Sequence, residues 1–332
     1  MSDEPIKSLI RTLIRTKITE IDNPLPPVGE MIEGKQLRQW HFDLQGNEVK
    51  LDFADRVHQD PWPLPQPIDR EGYHTVENSH YYWSSGLMDW LNVESAIQEF
   101  GIKSSIKTDR PIRILDFGCS SGRVLRHILA FGGDQYEIWG ADLGHENIEW
   151  MKRHLPNDIK SFSNTTIPHL PISDHYFDVV TGFSVFPHFE YLSDAWLLEL
   201  CRITRPNGLL YITIANEATW LDSVNRESTL NYFARTNEIP GNEPLTKENF
   251  ETIFDGPLWL RRTSTEDTFN CYIWHKNEFI EKNWSRFVSV HRIVDFAHLR
   301  HQAVVLAEPT HCLLYTSPSP RDQRGSRMPS SA

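Results

Sequence analysis

The sequence predicts an α/β protein with a mostly parallel sheet, helices on both faces of that sheet and an N-terminal cap region. Three observations lead to this prediction. Short apolar runs alternate with helical patterns after residue 109, and the first three helical patterns each end at glycine or proline. The last two apolar runs lie close together in the chain. Alternation of this kind is typical of parallel strands joined by crossover helices.

The composition is that of an ordinary globular protein. Of 332 residues, 39% are hydrophobic and 23% are charged, so the chain can build a sizeable core. The formal net charge of −12 disfavours a nucleic-acid partner, which needs a basic face. No apolar run approaches the roughly 18 residues of a membrane span, so we expect no membrane partner. The acidic N-terminus does not resemble a signal peptide, and no cysteine lies in a C-x-x-C pair, which favours a cytoplasmic setting without a metal site.

Residues 1–108 form the predicted N-terminal cap region. Apolar residues at helical spacing predict a helix over residues 85–100, and Gly101 ends it. Tyr82 and Trp83 stand directly before that helix. Their rings are candidates for substrate binding, and core packing is the alternative.

From residue 109 onward the predicted strands and helices follow one another in order. Strands are expected in IRILDFG, EIWGADL, FDVVTGFSVF and LLYITIA, and helices in GRVLRHILAFGG, HENIEWMKRHLP and SDAWLLELCRITRPNG. Ser193 is the expected N-cap of the third helix. We expect the sheet to be covered by these helices on both faces.

The order breaks at residues 216–270, which we interpret as an insertion with a helix near LTKENFETIF. A further helix is expected in NEFIEKNWSRF, followed by two strands, FVSVHRIV and HQAVVLAE. The connection between these two strands has only about eight residues, which is too short for a crossover of a dozen or more. The last two strands are therefore expected to pair antiparallel.

The stretch 312–332 differs from the rest of the chain. It is rich in serine, proline and arginine and has no hydrophobic period. It resembles translated vector or adapter sequence, so we expect a non-native disordered tail. A native disordered tail is the alternative.

The segment RILDFGCSSGRVLRHIL, residues 113–129, carries the strongest functional signal. It predicts a strand, a turn with Gly118 and Gly122, and a helix, and glycine lets a ligand approach the backbone closely. The turn lacks the G-x-G-x-x-G pattern of a dinucleotide site. Asp116 at the strand end suits a cationic amino group, and Asp142 at the end of the next strand suits two ribose hydroxyls. A ligand with a ribose and a cationic amino-acid part, but without phosphate, fits S-adenosyl-L-methionine.

Four segments in order, ILDFGCSSGRV, WGADL, LPISDHYFDVVTGFSVFPH and ITRPNGLLYITI, resemble the motifs of class I S-adenosylmethionine-dependent methyltransferases. The resemblance covers residues 109–308, including the insertion at 216–270. It implies a seven-stranded, mostly parallel Rossmann-like sheet with an antiparallel last strand. It also implies S-adenosyl-L-methionine as the cofactor.

The candidate cofactor-binding residues follow the ends of the first four strands. They are Asp116, Gly118, Cys119, Ser120, Gly122, Asp142, Leu143, Asn164, Thr165 and Ser184. Ser120 stands where the family most often has glycine; a serine fits this turn if its φ is negative, and it can then donate to the cofactor carboxylate. Leu143 is interpreted as packing on adenine or in the core. Asn164 is interpreted as an acceptor for the adenine amine, or as part of an ordinary turn.

His188, just past the fourth strand, is the candidate catalytic base, because an imidazole titrates near neutrality. A structural histidine near the sulfonium is the alternative interpretation. Arg261 and Arg262 are interpreted as a solvated pair, and contact with an anionic acceptor is the alternative.

The sequence therefore predicts a methyltransferase acting on a small-molecule acceptor, with a hydroxyl of a sugar or another metabolite as one candidate. Two alternatives stay open: an NAD(P)-dependent oxidoreductase, and a non-catalytic protein that binds S-adenosylmethionine.

Overall fold

The computed structural model describes residues 25–35, 37–70, 72–106, 109–224, 226–246, 248–250, 252–264 and 271–310. The predicted tail at 312–332 lies outside the described residues. None of the helices in these ranges has the length and apolar character needed to cross a membrane.

The N-terminal region contains four helices and one antiparallel hairpin in its described part. They are α1 (Val28–Met31), β1 (Arg38–Phe42), β2 (Glu48–Asp52), α2 (Ala54–Val57), α3 (Ser79–Glu99) and α4 (Ile102–Ser105). Helix α3 begins at Ser79 rather than near residue 85, so Tyr82 and Trp83 lie inside the helix and not before it. Gly101 ends this helical segment, as predicted, and it does so in a left-handed conformation.

The following segment alternates strand and helix. Its elements are β3 (Ile112–Phe117), α5 (Leu125–His127) with a π-helical turn (Ile128–Gly132), β4 (Tyr136–Asp142), α6 (His145–His154), β5 (Ile159–Ser163), β6 (Phe177–Gly182), α7 (Ser193–Ile203) and β7 (Thr204–Asn216). Helix α7 starts at Ser193 itself, after Leu192 at φ +64°, and no side chain caps it. The expected N-cap role of Ser193 is therefore wrong.

The C-terminal part of the described chain adds three helices and four strands. They are α8 (Glu217–Val224), α9 (Glu227–Ala234), β8 (Leu258–Arg262), β9 (Cys271–His275), α10 (Asn277–Trp284), β10 (Val288–His298) and β11 (Gln302–Pro309). The described residues of the segment LTKENFETIF form turns rather than the expected helix. The Asn249 side chain accepts from Thr246 N and donates to Pro244 O, and such local bonds favour a turn over a helix.

The sheet order is β5-β4-β3-β6-β7-β11-β10. Strands β3 to β7 are parallel, and β11 is antiparallel to both β7 and β10. The predicted seven-stranded sheet with a reversed last strand is confirmed. A hairpin of β8 and β9 extends it, because β9 pairs in parallel with the end of β7.

Helices cover both faces of the sheet, as predicted. Along β7, Leu209 and Tyr211 pack in one hydrophobic cluster with α3 and α6, whereas Leu210 and Ile212 pack in a second cluster with α7 and α10. This alternation is the period-two pattern of a strand buried on both sides.

One edge of this sheet collects the ends of six strands. Strands β3 to β7 all finish there, and so does β10, since β10 and β7 are both antiparallel to β11. In open α/β sheets, ligands bind at the carboxyl ends of the strands. We refer to this side as the carboxyl edge.

Candidate active site

The turn after β3 is tightly enclosed by protein. Gly118 has φ +78° and Gly122 has φ +81°, a region that glycine adopts without strain. A Cβ on Gly118 would come within 2.3 Å of Val185 Cγ2, and a Cβ on Gly122 within 2.7 Å of Met151 Sδ. The glycines at these positions therefore let the segment after β6 and helix α6 approach the turn.

Ser120 has φ +48°, so the condition of a negative φ, under which a serine fits this turn, is not met. A serine in this region is strained by about 1–2 kcal/mol. Two hydrogen bonds hold it there: Ser120 N donates to Asp142 Oδ2 at 2.7 Å, and Ser120 Oγ accepts from Asn147 Nδ2 at 3.3 Å. The turn is thus tied to the end of β4.

Asp142 is oriented by the backbone on both sides. Besides Ser120 N, its carboxylate accepts from Gly144 N at 2.6 Å, and the residue is only 8% exposed. Each carboxylate oxygen can accept more than one hydrogen bond, so these contacts are compatible with ribose hydroxyls. Leu143 follows and is half-buried.

Asn164 provides a buried hydrogen-bond acceptor next to Asp142. Its backbone N donates to Asp142 O at 3.0 Å, and its Nδ2 donates to Thr165 O at 3.0 Å. Its Oδ1 is buried and has no hydrogen-bond partner among the described residues. A buried acceptor without a partner costs free energy, and an amine of a ligand would satisfy it. Thr165 itself is exposed, with Oγ1 accepting from Ile167 N at 3.3 Å.

Asp116 lies under the turn and is 2% exposed. It accepts from Thr181 Oγ1 at 2.8 Å. Burial raises the pKa of Asp116 to about 7, although the Thr181 bond and the charge of Arg123 act in the opposite direction. Cys119 is also buried, and burial raises the pKa of its thiol. The Cys119 side chain packs beside Gly140, where a Cβ would come within 2.9 Å of the sulfur.

These residues fit S-adenosylmethionine. The observation that carries the fit is the unpartnered Asn164 Oδ1 beside Asp142, since adenine offers an amine and the adjoining ribose offers hydroxyls. Asp116 at the other end of the turn suits the cationic amino group.

A second group of residues follows β6. Ser184, at φ +56°, donates from its N to Thr213 Oγ1 at 2.7 Å, and its Oγ accepts from Gln302 Nε2 at 2.9 Å. His188 Nδ1 donates to Cys271 O at 2.8 Å, and its ring lies edge-on to Tyr272. Because a carbonyl only accepts, Nδ1 carries the proton and the neutral imidazole keeps its lone pair on Nε2.

Three further candidate side chains, those of Tyr82, Trp83 and Arg261, are buried. Tyr82 OH shares a hydrogen bond with Ser121 Oγ at 3.0 Å, which places it against the glycine turn. Trp83 is fully buried, with Nε1 donating to Asp60 Oδ2 at 2.8 Å, an arrangement that favours packing over substrate contact. Arg261 is buried and donates to Phe233 O at 2.9 Å, so its interpretation as a solvated residue is wrong.

The structure also brings together residues that the sequence did not single out. Asp89 of α3 forms an ion pair with Arg123, directly after Gly122, and pairs with His298 at the end of β10. Asp89 and His298 are 209 positions apart, so no local pattern connects them. The only sequence signal is the position of Arg123 beside the glycine turn.

The sheet order, the reversed strand and the two acids flanking a glycine turn define the class: a Rossmann-like domain of the class I methyltransferase type. In agreement with this, residues 115–212 match the family model described as a methyltransferase domain. The chain thus carries a class I S-adenosylmethionine-dependent methyltransferase domain, and the cofactor of this class is S-adenosyl-L-methionine.

Two curated relatives are similar to part of the chain. A ubiquinone biosynthesis O-methyltransferase of Pelagibacter ubique is 27% identical over 125 residues, which is 37% of this chain and 50% of that protein. The mitochondrial ubiquinone biosynthesis O-methyltransferase of Candida albicans is 27% identical over 129 residues, 37% of this chain and 38% of that protein. The chain spans half or less of the length of these relatives.

Solved structures with similarity to the chain include two methyltransferases. A 1,6-didemethyltoxoflavin-N1-methyltransferase of Burkholderia thailandensis, with bound S-adenosylhomocysteine, has a TM-score of 0.46 and 13% identity, covering 75% of this chain and 92% of that one. A SAM-dependent methyltransferase of Aquifex aeolicus has a TM-score of 0.42 and 14% identity, covering 74% of this chain and 100% of that one.

Proposed function

We propose that the chain transfers the methyl group of S-adenosylmethionine to a hydroxyl of a small-molecule acceptor. The observation that carries this proposal is the pair of Asp142 and Asn164 at the carboxyl edge, where an oriented carboxylate adjoins a buried acceptor without a partner. Both curated relatives are named O-methyltransferases, which supports oxygen as the receiving atom.

Each residue of the site has one task in this proposal. Asp142 accepts from the ribose hydroxyls, Asn164 Oδ1 accepts from the adenine amine, and Asp116 faces the cationic amino group. When bound, the cofactor supplies a methyl group that its sulfonium already activates. The protein then has to align the acceptor and exclude water, because orientation alone removes a large part of the barrier.

The acceptor side is expected between the ends of β6, β7 and β10. Polar groups there are linked through Gln302, which donates to Ser184 Oγ and to Tyr272 OH at 3.1 Å. His188 lies beside Tyr272 and stays a predicted base or a predicted lining residue of the cofactor pocket. A hydroxyl acceptor has to lose its proton during transfer, so a base is needed at this end.

The test is a binding and transfer experiment on the full chain. Calorimetric titrations with S-adenosylhomocysteine and with NADH should show binding of the first and none of the second. Methyl-labelled S-adenosylmethionine is then offered with a panel of catechols, other phenols and sugars, and label should be found on a hydroxyl oxygen. Binding of NADH instead favours an oxidoreductase, and cofactor binding without transfer favours a non-catalytic binding protein.

A further inference from the structure

We propose that His298, oriented by Asp89, is the general base that takes the acceptor's proton. This inference rests on the proposed function, since it assigns the base for transfer to a hydroxyl. It differs from the prediction for His188, because the two histidines compete for one proton.

His298 is at the right edge of the fold. It is the last residue of β10, and its partner in the antiparallel register is Gln302, the residue that bonds Ser184 after β6. The His298 ring lies 5.5 Å, centroid to centroid, from the ring of Phe183, which directly follows β6. His298 thus faces the same strand ends as the predicted acceptor side.

The hydrogen bonding of His298 fixes its tautomer. Nδ1 lies 2.9 Å from Asp89 Oδ1, and an ionised carboxylate only accepts, so Nδ1 carries the proton. The neutral ring then has its lone pair on Nε2. Within the described part of the chain, the hydrogen bond of the His298 ring is the one from Nδ1 to Asp89, and none engages Nε2. Nε2 is therefore available to take a proton.

Asp89 is held as an anion. Burial alone raises the pKa of a carboxyl, but the charges of His298 and Arg123 outweigh it and keep the pKa of Asp89 below its ordinary range. Arg123 Nη1 lies 2.7 Å from Asp89 Oδ2, and Arg123 also bonds Ser85 Oγ at 3.2 Å. The Asp89 carboxylate, on α3, is thus held by Arg123 from the glycine turn and by His298 from β10.

This arrangement distinguishes the two histidines. The Nδ1 partner of His298 is a buried carboxylate, whereas the Nδ1 partner of His188 is the neutral carbonyl of Cys271. A carboxylate on Nδ1 stabilises the imidazolium that forms when Nε2 takes a proton, while also fixing the ring. A carbonyl fixes the ring but supplies less stabilisation of the charge. The geometry therefore favours His298 as the base.

In the proposed step, the acceptor O–H bond breaks and its proton moves to His298 Nε2. The oxygen lone pair forms the new O–CH₃ bond, the S–CH₃ bond breaks, and its electron pair stays on sulfur. The products are the methyl ether, a neutral thioether and an imidazolium paired with Asp89. The imidazolium returns its proton to water after product release.

The ring is well covered, with 4% of the His298 side chain exposed. Helix α8 contacts β10, and Asn216, which precedes α8, donates to Asp295 of β10 at 2.6 Å. An acceptor hydroxyl therefore reaches Nε2 only when the packing around the ring opens, and water is largely excluded from the ring while it is closed.

The pH dependence of His298 reflects the charged and titratable groups around the pair. They come from α3, the glycine turn, β3, β1, the β10–β11 turn and the end of α8 with the residues after it: Asp89, Arg123, Asp116, His41, Arg300, His301, Asp222 and Arg226. Burial lowers the pKa of both His41 and His301, which favours their neutral forms. Of these groups, Asp89 is in direct contact with His298, and Arg123 is in direct contact with Asp89.

The first arm of the test is His298→Asn in the full chain. The asparagine amide can still donate to Asp89, so a merely structural role is kept while the base is removed. We expect turnover to fall by about 10²–10⁴-fold, with S-adenosylhomocysteine affinity within about twofold. The turnover of the parent protein should rise with pH as an imidazole deprotonates, and the variant should lose this rise. His291→Asn, on the same strand and beside Glu308, is the matched control and should keep both.

The second arm needs no acceptor. The imidazole ¹⁵N resonances of the protein, saturated with S-adenosylhomocysteine, are followed between pH 5 and pH 9, with His298→Asn providing the assignment. We expect a proton on Nδ1 of His298 throughout and titration at Nε2. A proton on Nε2 in the neutral ring, or no titration in this range, overturns the proposal.

The two arms separate the failure of this inference from that of the proposed function. If the parent protein transfers no methyl group, the proposed function fails, while the ¹⁵N spectra still report on the pair. If transfer occurs and His298→Asn keeps its turnover and pH profile, the inference fails. It also fails if His188→Asn, and not His298→Asn, removes the rise of turnover with pH.

Discussion

Ser120 N donates a 2.7 Å hydrogen bond to Asp142 Oδ2, which joins the glycine turn after β3 to the acid that ends β4. Two parts of the predicted cofactor site are thereby one structural unit. The bond also accounts for a serine at φ +48°, because its energy offsets the strain of that conformation.

The strain at Ser120 can be measured by substitution. Ser120→Ala should be less stable than Ser120→Gly by about 1 kcal/mol, because alanine is strained in the left-handed region and glycine is not. Both variants keep the backbone N–H that Asp142 needs. Urea denaturation of the two proteins gives the difference in the free energy of unfolding. Equal stability of the two variants would contradict the positive φ.

Asp142 should determine cofactor affinity. Asp142→Asn removes the charge from hydrogen bonds that are worth roughly 1.5–3 kcal/mol, so S-adenosylhomocysteine should bind about ten- to a hundredfold more weakly. Asp134→Asn, an exposed acid near the start of β4, is the control and should bind normally. Unchanged calorimetric affinity of Asp142→Asn would place the ribose elsewhere.

Asn164 should recognise the adenine amine. The parent protein is expected to prefer S-adenosylhomocysteine over S-inosylhomocysteine, in which a carbonyl replaces that amine and would oppose Asn164 Oδ1. An unpaired buried acceptor costs about 1–3 kcal/mol, so the preference should be about tenfold or more. Asn164→Ala should reduce this preference to near unity, and Asn164→Asp should keep it. An alanine variant that discriminates as well as the parent protein argues against this contact.

Cofactor binding should change the protonation state of Asp116. Its folded pKa of about 7 lies above the unfolded value, so its contribution to stability is fully present below about pH 4 and is lost as the pH rises through 7. The slope is at most about 1.4 kcal/mol per pH unit. A cationic amino group favours the ionised carboxylate, so S-adenosylhomocysteine should release close to one proton at pH 6.

Calorimetry in buffers of different ionisation enthalpy measures that proton release. Asp116→Asn should abolish the release and should flatten the pH dependence of stability between pH 4 and pH 7. Release of the same size from the variant would mean that another group is the source.

The sequence predicted those parts of the molecule that depend on local patterns. The strands and most crossover helices followed from periodicity, and Asp116 and Asp142 followed from their positions at strand ends. The start of α3 was missed because aromatic residues have middling helix propensity, and the burial of Trp83 against Asp60 is a tertiary effect. The helix expected near Asn249 failed for a local reason, since its amide bonds the backbone of the turn.

The contact between Asp89 and His298 could not be predicted from a sequence pattern. One residue lies in a helix that precedes the sheet and the other at the end of the penultimate strand, and only the topology brings them together. The positive φ of Ser120 could not be predicted for the same reason, because its supporting bond to Asp142 crosses from one strand end to the next.

Transfer of a labelled methyl group by the full chain tests the proposed activity itself. The protein is incubated with deuteromethyl-labelled S-adenosylmethionine and the panel of phenols, catechols and sugars, and the products are analysed by mass spectrometry. We expect label on a hydroxyl oxygen, formed in step with S-adenosylhomocysteine and strongly reduced in Asp142→Asn at subsaturating cofactor. Cofactor binding without transfer of the label, or label found only on nitrogen or carbon, would contradict the proposed transfer to a hydroxyl.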